Sequence, residues 1–561
     1  MSPTTSFESA EKVRPGLLAP LATPVFLRIW VASMFSNTGL LIQGVGAAWA
    51  MVRLSGNNPV MVTLVQTALF LPIMLLSMVA GAIADAMDKR KVALVALGIS
   101  VACASALAGL AIADVLDAAL LLLFSFGIGI GTAIFGPTWQ AAVSEQVPPR
   151  VLAQAVALNS ISFNLARSIG PAVGGAIVAL GGTFAVFSIN ALFYLPMIAV
   201  LLLWRERSWT PGRLPPERTG RAVRSGLRFI AHSPPVRTVL IRAFAIAVPG
   251  SSVSALMPLI AHERLGAGAQ TFGILLGAIG IGAIVGGTMV GYLRNRFAAN
   301  SIAAVCSFVY GTCVMALAFI QSLALIMPVL MVAGTVWMVT ITQFNIIAQL
   351  SAPRWVLGRV LAAYQAIIAG GLAFGSVLWG SIAHQMGVAN AVLISGIAIF
   401  MVPLLFHRLR LTDVTDSHTP AVELGDLDVA VPLQGRSGPI AIEIEYDVNP
   451  ESVVEFYHVM MEVERVRARN GAHDWFMARN ISDERLWVER FQCPSWHDYL
   501  RLRDRNSQAE IDVMRQAIAF DRRPGGIVIR RWLVQPFGAV RWRQNPTEWG
   551  PTGISALSPG L

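Results

Sequence analysis

From residue 27 to residue 406 the chain alternates long apolar runs with short polar interruptions. A helix needs about 20 apolar residues to cross the hydrocarbon core of a bilayer. Twelve stretches meet that length: 27–52, 60–86, 91–113, 117–143, 155–180, 183–204, 238–262, 270–293, 299–321, 324–349, 360–384 and 388–406. They predict an all-α polytopic membrane domain of 12 transmembrane helices. The pattern changes after residue 410. Residues 411–436 are polar, with scattered Gly, Pro and acids, and read as a linker. Beyond it PIAIEIEYDV (439–448) alternates with period two, as a strand does. PESVVEFYHVMMEVERVRAR (450–469) has helical spacing with Pro450 near its start. HDWFMARNI (473–481) and ERLWVERFQ (484–492) read as strands, SWHDYLRLRDRNSQAEIDVMRQAIAF (495–520) as helix, and GIVIRRWLV (526–534) as a last strand. The order β-α-β-β-α-β predicts a C-terminal α+β ferredoxin-like domain.

Composition supports a membrane chain. Of 561 residues 55% are hydrophobic and 13% charged, with a mean hydropathy of +0.62. A soluble protein carries about a quarter charged residues. The net charge of +10 hides a division: residues 1–410 hold 25 bases and 10 acids, residues 411–561 hold 17 bases and 22 acids. The bases of the first part sit between apolar runs, so they point to membrane topology rather than to nucleic acid. One side receives Lys12, Arg14, Lys89, Arg90, Lys91, Arg150, the central loop, Arg294, Arg296, Arg354, Arg359, Arg408 and Arg410; the other receives Arg53 and Arg264. The basic side is expected to be cytoplasmic, with both termini there and the chain in the inner (plasma) membrane. No cleaved signal peptide is expected, since the first 25 residues are polar. The expected organisation is an N-terminal tail (1–25), a six-helix bundle (26–204), a central loop (205–237), a second bundle (238–410), the linker (411–436), the ferredoxin-like domain (437–540) and a C-terminal tail (541–561).

The two bundles look related. GAIADAMDKR (81–90) corresponds to GTMVGYLRNR (287–296), and PPRVLAQAVALNS (148–160) to APRWVLGRVLAAY (352–364), at nearly the same offset. Two repeated six-helix units are the mark of a transporter built from parallel halves. Within GAIADAMDKRK, Gly81 is small enough for a neighbouring helix to approach. Asp85 falls at the inner end of the second helix, where a carboxylate can face the positive N-terminus of the eleventh. Asp88, Lys89 and Arg90 follow in the connecting loop, where the bases hold topology and can pair with acids. RSIGPAVGG (167–175) lies in the fifth helix. Pro171 can bend it, and Gly170, Gly174 and Gly175 allow close packing. Arg167 sits inside the membrane region, where a charge costs about 2.5–3.5 kcal/mol on insertion scales, so a functional role is the default. It binds an anionic substrate or locks helices through carbonyls and amides.

These two motifs resemble those of the major facilitator superfamily. GAIADAMDKRK resembles its loop signature through Gly81, Asp85, Lys89 and Arg90; Asp88 stands for the usual Gly, as in the siderophore-exporter-like branch, and Ala86 for a usual Arg. RSIGPAVGG resembles the motif of its exporters and antiporters. The resemblance implies alternating access, a gating latch at 81–90, and export of siderophore-like or amphipathic small molecules, with multidrug antiport as the alternative. WFMARN, RLWVERF and SWHDYLRLRDR resemble the tail of transmembrane secretion effectors, whose antibiotic-biosynthesis-monooxygenase fold implies dimerisation.

Coupling is less legible. The helices carry no central Asp or Glu; Glu145, with Arg150 as partner, is a candidate for proton or salt-bridge chemistry. No Walker-type motif is present, so ATP is not expected to drive transport. Polar pore candidates are Asn37, Gln43, Asn159, Asn164, Gln343, Asn345 and Gln365, all of which also suit helix–helix hydrogen bonds. Cys103, Cys306, Cys313 and Cys493 show no metal-ligand spacing, so neither a metal nor a cofactor is expected. In the tail, Trp475, Trp487, Trp496, His473 and His497 make no decisive catalytic set. A dimerising role is therefore expected ahead of an enzyme; a membrane-anchored monooxygenase or sensor is the alternative from another class.

Overall fold

The computed structural model describes residues 18–146, 151–203, 219–353, 355–411, 429–431 and 433–534. Their helices are α1 (Pro24–Leu54), α2 (Pro59–Ala86), α3 (Lys89–Ile112), α4 (Ala118–Gln146), α5 (Leu152–Leu203), α6 (Thr219–Ala231), α7 (Pro234–Leu259), α8 (Ala269–Arg296), α9 (Ala299–Leu317), α10 (Leu323–Leu350), α11 (Leu357–Met386) and α12 (Val388–Leu405). Then follow β1 (Ile440–Asp447), α13 (Val453–Asn470), β2 (His473–Arg479), β3 (Leu486–Cys493), α14 (Trp496–Asp504), α15 (Gln508–Ile518) and β4 (Val528–Leu533).

Among the described residues 11 helices are long and apolar enough to cross a membrane, against the 12 segments read from the sequence. The difference lies in α5. Its 52 residues would extend about 78 Å as one rod, far beyond a bilayer core. Gly182, at φ 70° and ψ −173°, is not helical and breaks it. Neighbours on α1 give the directions of the two limbs. Gly170 packs on Leu41 and Gly174 on Ile42 and Val45, so the first limb runs with α1; Val186 meets Gly46 and Asn190 meets Gly39, so the second runs against it. The chain therefore turns back at Gly182, where a left-handed φ suits glycine, and the fifth and sixth segments pack as separate crossings.

The chain forms two compact units. One holds the described residues up to 203, with 242–343 and 362–410; the other holds 219–241, 344–361 and those from 411 onward. In the first, the core is apolar and rich in small residues: Ala47, Ala48, Val65, Ala104, Leu256, Phe272 and Ala391 are among its buried members. Without water between lipid-exposed helices, small residues and direct contact hold such a bundle.

The second unit contains a four-stranded antiparallel sheet in the order β2-β3-β1-β4. That order is ferredoxin-like, with α14 and α15 together standing in the place of the second helix that the sequence reads as continuous over 495–520. β1 turns Ile440, Ile442, Ile444 and Tyr446 into a core completed by Phe456, Met460 and Val463 of α13, Phe491 of β3 and Leu502 of α14. Glu489 shares that buried face, between Trp487 and Phe491 along β3, and is 0% exposed. It accepts from Arg467 Nε at 3.0 Å, Tyr446 Oη at 3.0 Å and Trp475 Nε1 at 3.1 Å. Burial works against the Arg467 charge, but Glu489 outweighs it and the guanidinium keeps its proton more firmly than usual. Burial and then Glu489 push the Tyr446 phenol well up.

Glu489→Ala strands the Arg467 charge in the core, a loss of about 3–5 kcal/mol. Hydrogen exchange on the full chain is expected to show β1 and β3 losing protection; the membrane helices keep theirs.

Candidate functional site

Two glycines of the fifth-segment motif pack on α1 and the third packs on α8. A methyl group at Gly170 would lie 3.0 Å from Leu41 Cβ, and one at Gly174 3.1 Å from Ile42 Cα, both on α1. One at Gly175 would lie 2.7 Å from Gly273 Cα and 2.7 Å from Ala269 O on α8; reciprocally, one at Gly273 would lie 2.8 Å from Pro171 O. Gly170 and Gly174 thus pack the first half on itself, while Gly175 brings it against the second half. Around this seam Trp49 stacks with Phe272 at 6.4 Å and meets the His262 ring edge-on at 5.8 Å. The other seam lies between α2 and α11. Thr67 Oγ1 donates to Ala373 O at 3.0 Å, Gly370 faces the Met74 side chain, and a methyl at Gly81 would be 3.6 Å from Ala362 Cβ.

Arg167 is one turn before the glycine motif. Its side chain is half-buried, and among the described residues it makes no hydrogen bond or ion pair. It lies within electrostatic reach of Tyr310 on α9. Tyr310 donates to Gly250 O at 3.2 Å and packs on Trp337, ring centroids 5.3 Å apart. A guanidinium offers five donors in a rigid fork that matches carboxylates and similar anions. Here it belongs to one half while Tyr310 belongs to the other.

The charged motif near residue 85 is built differently from the sequence expectation. α3 begins at Lys89, so Lys89, Arg90 and Lys91 form its first turn rather than a loop. Three cations at a helix N-terminus oppose the helix dipole. Asp88 compensates as the N-cap, accepting from the Lys91 amide at 3.2 Å and lying 3.7 Å from Lys91 Nζ. Arg90 Nη2 donates to Leu202 O at 2.6 Å, satisfying a carbonyl at the end of α5. Arg150 and Arg354, with the side chains of Asp85, Glu145 and Asn164, lie outside the described residues.

The pore candidates separate. Gln43 is fully buried and accepts from Asn190 Nδ2 at 3.2 Å, which joins α1 to the second limb of α5. Gln343 is 2% exposed, and its Oε1 has no hydrogen-bond partner among the described residues. Asn345 accepts from Gln349 one turn along α10. Asn159 and Asn37 are half-buried, and Gln365 is exposed on α11. Gln43 therefore serves a helix–helix contact, while Asn345 bonds within its own helix. In the second unit, Trp475 is engaged with Glu489 and Trp487 packs on Phe456 at 6.1 Å. Trp496 packs on Tyr499 at 5.5 Å, His473 pairs with Asp474 at 3.0 Å, and His497 lies over Gly435. Burial, Arg501 and then Asp498 act on His497, with a net downward shift of its pKa; Cys493 is pushed up to about 12 by burial and is inert as a nucleophile.

Two six-helix halves meeting along α5–α8 and α2–α11 define a membrane transporter of the major facilitator type. The chain matches the transmembrane secretion effector family over residues 15–536 and belongs to it. It is similar to the multidrug efflux pump Tap of Mycolicibacterium fortuitum, 26% identical over 406 residues, covering 69% of this chain and 97% of that one. It is also similar to the staphyloferrin A transporter of Staphylococcus aureus (23%; 67% and 95% covered) and the enterobactin exporter EntS of Citrobacter koseri (26%; 69% and 92%). Among solved structures, an inward-facing bacterial homologue of the lysosomal transporter Spinster superposes with a TM-score of 0.55 at 14% identity, covering 70% of this chain and 99% of that one. The nucleoside transporter NupG gives 0.57 at 10%, with 69% and 99% covered. These two likenesses establish the fold. The protein is a multi-pass membrane transporter.

Gly175→Ala forces backbones apart at the seam and is expected to lower stability by about 1–3 kcal/mol. Gly44→Ala on α1, where a methyl meets nothing within 4 Å, should stay within about 0.5 kcal/mol. Thermal unfolding of the purified protein in detergent compares them.

Proposed function

We propose that the protein is a secondary exporter of siderophore-like anions or amphipathic small molecules, driven by protons and working by alternating access of its two halves. The observation that carries this reading is Arg167: a half-buried guanidinium in a membrane segment, without a hydrogen-bonded partner among the described residues, near Tyr310 of the opposite half. Its insertion cost is offset when an anion arrives, and a planar fork selects carboxylate-like or catecholate-like groups. Relatives named for staphyloferrin A and enterobactin support that ligand class; the Tap relatives support a broader drug range. In this reading the Arg-rich end faces the cytoplasm, which places the ferredoxin-like domain there, and that domain offers a dimerising sheet.

Asp85, at the end of α2, acts as the latch of the gate, with Gly81 against Ala362 as its hinge contact. Glu145 with Arg150 is the candidate proton relay. Siderophore export would then draw on the proton gradient through titration at the basic end of the bundle.

Everted vesicles carrying the protein are expected to accumulate a tricatecholate siderophore when a proton gradient is imposed and not with ATP alone. Accumulation with ATP and no gradient would overturn the coupling. Arg167→Gln should cut accumulation of the anion about tenfold or more, the value of one charge-assisted contact, with insertion intact. Asp85→Asn should slow turnover without changing the amount of protein in the membrane; normal turnover removes the latch role.

A further inference from the structure

The second unit joins three parts of the chain far apart in sequence: the central helix α6 with the start of α7, the end of α10 with the start of α11, and the ferredoxin-like domain. They meet in one stack of two adjacent rings with a cation at each end. Arg505, at the C-cap of α14, holds its guanidinium carbon 3.9 Å from the centroid of a Trp355 ring. Trp355, in the turn before α11, meets the Phe229 ring of α6 edge-on at 5.7 Å and 85°. The guanidinium carbon of Arg469 of α13 lies 6.0 Å from the Phe229 ring centroid, with Arg469 steadied by Glu510 Oε1 at 2.7 Å. Phe229, 1% exposed, is the buried centre of the stack, and Trp355, Arg469 and Arg505 are half-buried around it.

Further bonds run along the same seam. Arg221 of α6 reaches Asp498 of α14 at 3.6 Å. Arg359, in the first turn of α11, donates to Ser225 Oγ of α6 at 2.8 Å, and its side chain lies against Gly226. The domain thus grips the α10–α11 turn and α6 at once. The geometry points to a clamp: the C-terminal domain is a gating element that holds the starts of α7 and α11 in the arrangement recorded here, through Arg505, Trp355, Phe229 and Arg469. No catalysis by the domain is needed for this role. The inference rests on the alternating-access reading above, because a clamp matters only if α7, α10 and α11 shift during the cycle.

The physical logic is linkage. The stack's contact free energy adds to the arrangement that contains it, so removing the stack moves the population toward the other arrangement. In the recorded arrangement Gly175 and Gly273 are in contact at the end of the bundle opposite the Arg-rich one, and Ala269 is buried at 6% exposure. Ala269 therefore reports the opening of that end.

The test uses the full chain in lipid nanodiscs. First, hydrogen exchange compares Arg505→Ala, Trp355→Ala and Trp355→Phe with the parent. Arg505→Ala and Trp355→Ala are expected to lose about tenfold protection across α6 and 355–361, the effect of losing a desolvated cation–π contact. Trp355→Phe should retain most of it, and β1 and β3 should keep full protection in every variant. Second, Ala269→Cys is labelled with a membrane-impermeant maleimide, above the background of the native cysteines. Labelling should rise about threefold in the two alanine variants. Unchanged protection overturns the clamp. Loosened loops with unchanged labelling also overturn it, since the clamp would then be closed in both arrangements or irrelevant to them. Gly175→Ala, which opens the seam directly, separates the cases: a rise there alone condemns the clamp, whereas no rise in any variant condemns the alternating-access reading as well.

Discussion

Backbone-to-backbone contact between Gly175 and Gly273 is the constraint on which the membrane bundle depends. Lipid tails are as apolar as the helices, so the bundle gains little by hiding apolar surface and must gain by close approach. At this seam neither residue leaves room for a methyl group. The seam fixes how near α5 comes to α8, and therefore where Arg167, about two turns earlier, stands relative to Tyr310. A motif that reads as small-residue packing is then also what sets the position of a cation between the halves. The α2–α11 seam adds a hydrogen bond from Thr67, a methionine against Gly370, ordinary contact at Gly81, and a close approach at Gly380, where a methyl group would lie 3.0 Å from Thr63 Cβ and 3.1 Å from Pro59 O.

Much of this was legible because the solvent does the sorting. The apolar runs predict the membrane helices at nearly their observed places, since any shorter run would leave backbone groups in lipid. The βαββαβ order of the tail was readable from periods of two and 3.6. Boundaries were less so. Lys89–Lys91 read as loop because three bases rarely open a helix, yet Asp88 caps it and α3 starts there. The turn between the fifth and sixth segments was placed within a residue or two, but the structure makes it a single glycine with a left-handed φ rather than a loop.

The sites divide along the same line. Arg167 was visible because an unpaired charge in an apolar run has no cheap explanation. Gln43 suits a pore as well as a helix contact by its type alone, which does not say that Asn190 is its partner. The Arg–aromatic stack was not legible at all: Phe229, Trp355, Arg469 and Arg505 are ordinary residues separated by long stretches of chain. A local hint existed for Glu489, which shares a strand face with Trp487 and Phe491 and so had to be buried with partners.

The central claim is that the two halves move against each other about these seams. The most direct measurement places cysteines at Thr67 and Ala373, whose positions are joined by a 3.0 Å hydrogen bond, and follows substrate accumulation in vesicles. Oxidation to a disulfide is predicted to stop accumulation, and reduction to restore it. Full-rate accumulation with the cross-link in place would contradict the account.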